Sequence, residues 1–196
     1  MNIGSAIDVL RNSISTVFND TKRKLSPNIY RGHSRSISTD IEDLITIFIS
    51  NVLPKNYKFL LDASIHVDGK NNRPDLLIAN ENNEVIAMIE LKSNMGYCRD
   101  ATSVINEITE NHNKFFNATN LICKFSDDEQ QLVTYNQDVE LFLISLTSDN
   151  CSTDNHQNNK AFATSKGVNY FNLFSGWYGG LLDKDVYAFL STLDNI

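Results

Sequence analysis

The sequence predicts an α/β fold in which helices flank a mixed β-sheet, and three observations predict it. Apolar residues recur at helical spacing in four segments; shorter apolar runs lie between them; and two of those runs, on either side of residue 81, are close enough to pair as a hairpin. Read in order these give a helix, a second helix, three meandering strands, a third helix, two more strands and a last helix, the pattern of helices packed on a sheet. The chain has 196 residues, 41% of them hydrophobic and 21% charged. That length suits one domain with a sizeable core, taken here as residues 1–196 with its core at about 38–173.

The first helix is expected over 3–18, where Ile3, Ile7, Leu10, Ile14 and Val17 alternate spacings of four and three. Core packing and a dimer seam both fit this stripe; about two heptads is short for a coiled coil. A second helix starts at Ser38 or Thr39 and stops before Pro54, with Ile41, Leu44, Ile45, Phe48, Ile49, Val52 and Leu53 as its apolar face. Thr39-Asp40-Ile41-Glu42 matches a capping box, which would by itself explain Glu42. Glu42 also shares its face with Ile45 and Ile49 and so points to the core side, whereas Asp43 points outward. A carboxylate at the inner edge of a helix needs a cation or donor beside it.

Residues 58–67 read as a strand, followed by a turn over 68–72. Asp75 to Ala79 and Val85 to Lys92 form a hairpin around Asn80-Glu81-Asn82-Asn83. A helix covers 101–117 with Val104, Ile105, Ile108 and Phe115 inward. Strands follow at 139–146 and 168–173, and a helix at 183–193. Between those last strands, residues 148–167 are polar and long for a connection, so they read as a functional loop or a disordered one. No apolar run approaches the ~18 residues of a membrane span and no signal-peptide pattern opens the chain, so a cytoplasmic location and no membrane partner are expected. Cys98, Cys123 and Cys151 are odd in number with no CxxC spacing and are read as free thiols.

A net charge of -7 argues at first against nucleic acid, but its distribution does not. Residues 1–100 carry 12 basic and 12 acidic side chains, and residues 101–196 carry 5 and 12. Lys22, Arg23, Lys24, Arg31 and Arg35 fall in a stretch free of acid, which makes a local basic surface available.

The chemistry lies at the ends of the hairpin. Along 85–92 one face carries Val85, Ala87, Ile89 and Leu91, and the other Ile86, Met88, Glu90 and Lys92. A strand apolar on both faces is central, so Glu90 and Lys92 emerge together at the end of a buried element. Pairing places Asp75 opposite the stretch from Met88 to Glu90. Two carboxylates forced together repel, and Mg²⁺, with its preference for oxygen ligands and phosphate, resolves the conflict; Mn²⁺ is the expected substitute. Lys92 adjoins them, placed to orient a water and balance charge on a phosphate. The plain alternative is an ion pair between Glu90 and Lys92 at a frayed strand end.

Pro74-Asp75, fourteen intervening residues, then Glu90-Leu91-Lys92 resembles the PD-(D/E)xK nuclease signature of the restriction-endonuclease-like superfamily, and the element order resembles its αβββαβ core. The resemblance implies a Mg²⁺-dependent DNA endonuclease in which Asp75, Glu90 and the Leu91 carbonyl bind metal, Lys92 assists the attacking water, and Glu42 holds a further water or ion. The segment after the motif lacks Gln-x-x-x-Tyr, unlike the RecB-like and exonuclease branches, and no GxxxxGK[ST] is present. A chain of this kind looks most like an orthodox type II restriction endonuclease working as a homodimer on double-stranded DNA, with no nucleotide cofactor. A junction-resolving or other defence nuclease, or a non-catalytic binding module on the same fold, are the alternatives.

Arg31, His33, Ser34 and Arg35 lead into the helix bearing Glu42 and are either phosphate ligands or a solvated loop. Asn155, Gln157, Asn158, Asn159 and Lys160 are either base readers or simply exposed. Asn111-His112-Asn113 has no second metal-binding pair and carries no site. Phe171, Phe174, Trp177 and Tyr178 are read as core closure, with base stacking as the alternative.

Overall fold

The computed structural model describes residues 3–21, 38–94, 101–126, 129–147, 151–174 and 183–193. Within these, α1 (Ile3–Thr21) and α2 (Ser38–Val52) precede a run of five strands: β1 (Lys58–Leu61), β2 (Ser64–Val67), β3 (Lys70–Asn72), β4 (Leu76–Ala79) and β5 (Glu84–Asn94). Then come α3 (Ala101–Ala118), β6 (Asn120–Lys124), β7 (Gln130–Thr147), α4 (Thr153–Ser165), β8 (Val168–Asn172) and α5 (Asp183–Leu193). No helix among the described residues is long and apolar enough to cross a membrane.

The strands form one mixed sheet in the order β1-β4-β5-β7-β6-β2-β3, with β8 also on β7. The expected central mixed sheet flanked by helices is therefore present. β7 is its spine: Leu141 to Leu146 are buried, and β5 and β8 both run parallel to this stretch. An apolar run with strands on both sides is what a parallel core demands. Parallel pairing of β7 with β8 needs a crossover, and α4 supplies it. Residues 153–165 are thus helical, not the loop expected, because the topology imposes a helix that their polar composition does not announce.

Two further corrections concern strands. The first half of β7 pairs antiparallel with β6, an element the sequence reading missed. Both are short of apolar residues because only Leu121, Cys123, Val133 and Tyr135 point inward. The expected strand 58–67 is broken in two at Asp62, whose φ is +50°. The expected turn over 68–72 is only two residues long: Asp68 and Gly69 have φ of +52° and +74° between the paired Val67 and Lys70. These left-handed angles suit a type I′ hairpin turn, for which Asp-Gly is a favoured sequence.

The helices bury two clusters, one on each side of the sheet. Ile7, Leu10 and Ile14 of α1 and Ile41, Ile45 and Ile49 of α2 join Phe189 of α5 against Ile78, Ile89 and Phe142. Core packing thus accounts for most of the α1 stripe, although Ile3 is exposed. Ile105, Ile108 and Phe115 of α3 pack with Leu77, Met88, Leu143 and Tyr170 on the other side. Only Asp62 and Ala63 separate β1 from β2, yet these strands lie far apart in the sheet order, so the sheet curls back toward itself. α3 contributes its apolar face to the cluster within that curl.

Candidate active site

Strand alternation builds the site. Leu76 pairs with Ile89 and Leu77 with Met88, so the register carried one step on brings Asp75 beside Glu90. Leu77 and Met88 face the α3 side, and Glu90 and Lys92 follow Met88 at two-residue intervals on that face. The expected alternation of β5 is corrected at its start: a bulge between Val85 and Ala87 turns Val85 to the α3 side and Ile86 to the other.

Pro74 decides how Asp75 is held. β4 begins at Leu76, and Pro74 has no N–H with which to continue the ladder toward β5. The Leu91 amide, which would otherwise pair with that strand, donates to Asp75 Oδ2 at 2.6 Å. The carboxylate thus takes the place of a backbone carbonyl as acceptor for that amide. On either side of Leu91, Lys92 Nζ lies 2.5 Å from Glu90 Oε1 and 3.8 Å from Asp75 Oδ2. The three side chains are 20%, 23% and 32% exposed for Asp75, Glu90 and Lys92, a notch open to solvent on one side.

Burial and neighbouring carboxylates show in the pKa values. Glu90 is pushed up to about 7, first by burial, then by Asp75, against the pull of Lys92. Asp75 is raised by burial, opposed by Lys92, the Leu91 amide and a hydrogen bond with Glu90. Glu42, half-buried on α2, is raised by burial and then by the charges of Asp75 and Asp62, while Lys92 acts the other way. The structure therefore brings Glu42, Asp75, Glu90 and Lys92 into one electrostatic neighbourhood. Among the described residues no three His, Cys, Asp or Glu side chains converge closely enough to hold an ion by themselves. Asp75 and Glu90 nonetheless offer two hard oxygen donors whose shared charge a divalent cation would relieve, so the donor set fits such an ion.

Two residues here were missed by sequence reasoning. Asp62, beside the break in the hairpin, acts on both Glu42 and Asp75, and Arg73 pairs with it at 2.7 Å. An acidic residue inside the apolar run Lys58 to Val67 was the available signal.

The remaining expected residues lie elsewhere. Arg31, His33, Ser34 and Arg35 fall outside the described residues, as do Cys98, Trp177 and Tyr178. Asn155, Gln157, Asn158 and Lys160 are exposed on α4, with Asn159 half-buried. Ser152 caps that helix by accepting from the Asn155 amide. α4 follows the C-terminal end of β7, the end at which Lys92 pairs with Ser145. His112 of the dismissed Asn-His-Asn triplet is tied up at 3.1 Å with the Tyr135 hydroxyl. Phe174 is buried and Phe171 packs on Phe142, consistent with core closure. Cys123 and Cys151 are free thiols, the former buried.

The fold defined by this sheet and its helices is α/β, with a hairpin that ends in an acidic cluster. No family model and no curated protein matches the chain. Among solved structures it is similar to NucC of E. coli MS115-1 in the cAAA-bound form, with a TM-score of 0.57 and 13% identity over 98% of this chain and 88% of that one. The cAAA-bound NucC of P. aeruginosa ATCC27853 gives a TM-score of 0.53 and 14% identity, covering 98% and 89%. The apo E. coli protein gives 0.50 and 12%, covering 98% and 90%. At these identities what is shared is the fold.

Proposed function

We propose that this chain is a divalent-cation-dependent DNA nuclease centred on Asp75, Glu90 and Lys92, with Glu42 beside them. The observation that carries the proposal is the pinning of Asp75 to the Leu91 amide, which fixes one carboxylate against Glu90 and Lys92 at the end of a buried strand. A surface ion pair alone would not require a second carboxylate built into the strand end, nor raise the pKa of both. Asp75 and Glu90, with the Leu91 carbonyl, would hold Mg²⁺ or Mn²⁺. Bound there, the ion supplies Lewis acidity and neutralises charge on a phosphodiester.

The chain's own groups do the rest. Lys92, anchored on Glu90, holds a water for in-line attack on phosphorus and balances the charge that gathers on the phosphoryl oxygens. Glu42 accepts a hydrogen bond from a further water at the edge of the notch. Departure of the 3′ oxygen leaves a 5′-phosphate end. Arg31, His33, Ser34 and Arg35 are assigned to the DNA backbone, and the exposed Asn155, Gln157, Asn158 and Lys160, with Asn159, to base contacts from α4.

Of the two branches, a defence nuclease is favoured over an orthodox type II restriction enzyme acting as a homodimer. The likeness of fold, which runs to NucC, supports that branch. The expectation that no nucleotide takes part is set aside for the same reason, since two of those structures are cAAA-bound forms. Assays are accordingly run with and without cAAA. Asp75→Ala is expected to abolish Mg²⁺-dependent cleavage of plasmid DNA while DNA binding and cooperative unfolding persist. Cleavage retained in that variant would sink the proposal.

A further inference from the structure

β1 to β4 form one long ribbon whose register is unbroken, from Lys58↔Ala79 and Leu61↔Leu76 to Ile65↔Asn72 and Val67↔Lys70. Counted through, Asp62 stands opposite Asp75, and the Asp62 amide donates to the Asp75 carbonyl at 2.8 Å. At this pair both strands change phase. Leu60 faces the α3 side, and beyond Asp62 so do Ala63, Ile65 and Val67. On the partner strand Asn72 and Pro74 are buried ahead of the pair, and Leu77 and Ala79 face the α3 side after it. Strict alternation would turn Ser64 and His66 inward in place of the apolar set. The left-handed φ of Asp62, +50°, makes the change of phase.

Resting on the nuclease reading, we infer that Arg73 is a positioning residue that sets Asp75 through Asp62. Arg73 Nη2 donates to Asp62 Oδ2 at 2.7 Å and reaches the Asp62 carbonyl at 3.4 Å, so it bonds to the residue that breaks the ribbon from two positions before Asp75. With side chains 60% and 58% exposed, the pair adds little to stability. Its use is geometric. It holds Asp62 in an unfavourable backbone region, and the change of phase there turns the Asp75 carboxylate toward the Leu91 amide and away from the continuing ladder.

The test compares Arg73→Ala, Arg73→Lys and Asp62→Asn with the unaltered chain. A 1 Å displacement at a centre can cost ~10²-fold in rate, so Arg73→Ala is expected to lose on the order of 10²-fold in kcat. The KM for DNA is expected to stay within about threefold, because the residue acts through Asp75 and not on substrate. Arg73→Lys, which keeps one donor, restores part of the loss. The second readout is amide hydrogen exchange without DNA or cation: the Leu91 amide exchanges faster in Arg73→Ala, while those of Leu77 and Ile78 do not.

That readout is independent of cleavage, so an altered Leu91 amide in a chain that never cuts DNA would reject the nuclease reading and keep the positioning role. An unchanged Leu91 amide overturns the role. So does a loss confined to KM with a shallower salt dependence, which would make Arg73 a direct DNA contact. If Arg73→Ala fails to fold, Asp62→Asn carries the same two readouts, since Asn tolerates the left-handed region.

Discussion

At the scale of the residue, Glu90 gives the sharpest expectation. Its pKa in the folded chain, about 7, lies above the ordinary 4.5. The folded state therefore keeps a proton that the unfolded chain releases, and the stability this contributes is full below about pH 4.5 and lost as the pH rises toward 7. The loss is on the order of 3 kcal/mol if Glu90 titrates alone. Thermal unfolding in a chelator is expected to fall across that window, Glu90→Gln to flatten the fall, and Mn²⁺ at pH 8 to raise the midpoint more than at pH 5. A flat profile in the unaltered chain would mean that the notch is wetter than its geometry indicates. Glu90 and Lys92 were legible in the sequence because alternation needs no tertiary information. The capture of the Leu91 amide by Asp75 was not, since it depends on where Pro74 ends the ladder.

At the scale of the element, legibility followed apolar content. α2, α3 and α5 carry an apolar face and were placed to within a residue or two, and the α1 stripe located its start. β6 escaped because every second residue faces out: Ile122 and Leu132, paired across β6 and β7, are 50% and 58% exposed. α4 escaped because only Ala163 of its 13 residues is buried. The break at Asp62 was readable in principle, since the apolar positions Leu60, Ala63, Ile65 and Val67 change from odd to even spacing there. One junction departs from local preference. Thr119 follows α3 with φ +62°, donating its amide to Phe115 O, at a position where glycine is the usual residue. A β-branched side chain is strained there, so Thr119→Gly is expected to stabilise by about 1 kcal/mol and raise the unfolding midpoint by roughly 2–4 °C. A lower midpoint would show that the threonine side chain supports the turn into β6.

At the scale of the whole molecule, the parallel triplet β5-β7-β8 aligns Lys92, Ser145 and Asn172 in one row at the end of the sheet where Glu90 and Lys92 emerge. α4 follows from that end, with the amide side chains of Asn155, Gln157, Asn158 and Asn159 in its first two turns. Whether those amides read sequence is decided by digesting a large DNA of mixed sequence with Mg²⁺, with and without cAAA. A smear is expected from a defence nuclease, and discrete fragments would return the chain to the restriction branch. No cleavage under any condition, with binding intact, would make it a binding module.

The unbroken ribbon from Lys58 to Ala79 also separates two properties that evolution can alter independently. Its outer arm, β2 and β3, extends past Asp62 to meet β6, where Ser64 pairs with Lys124 and Ile65 with Cys123. Because the strand count is continuous and the tip is a two-residue turn, the arm can gain or lose two residues in each strand together without turning any side chain to the opposite face. On the nuclease reading, the chemistry rests on one half of the ribbon and the ribbon's reach across the molecule on the other.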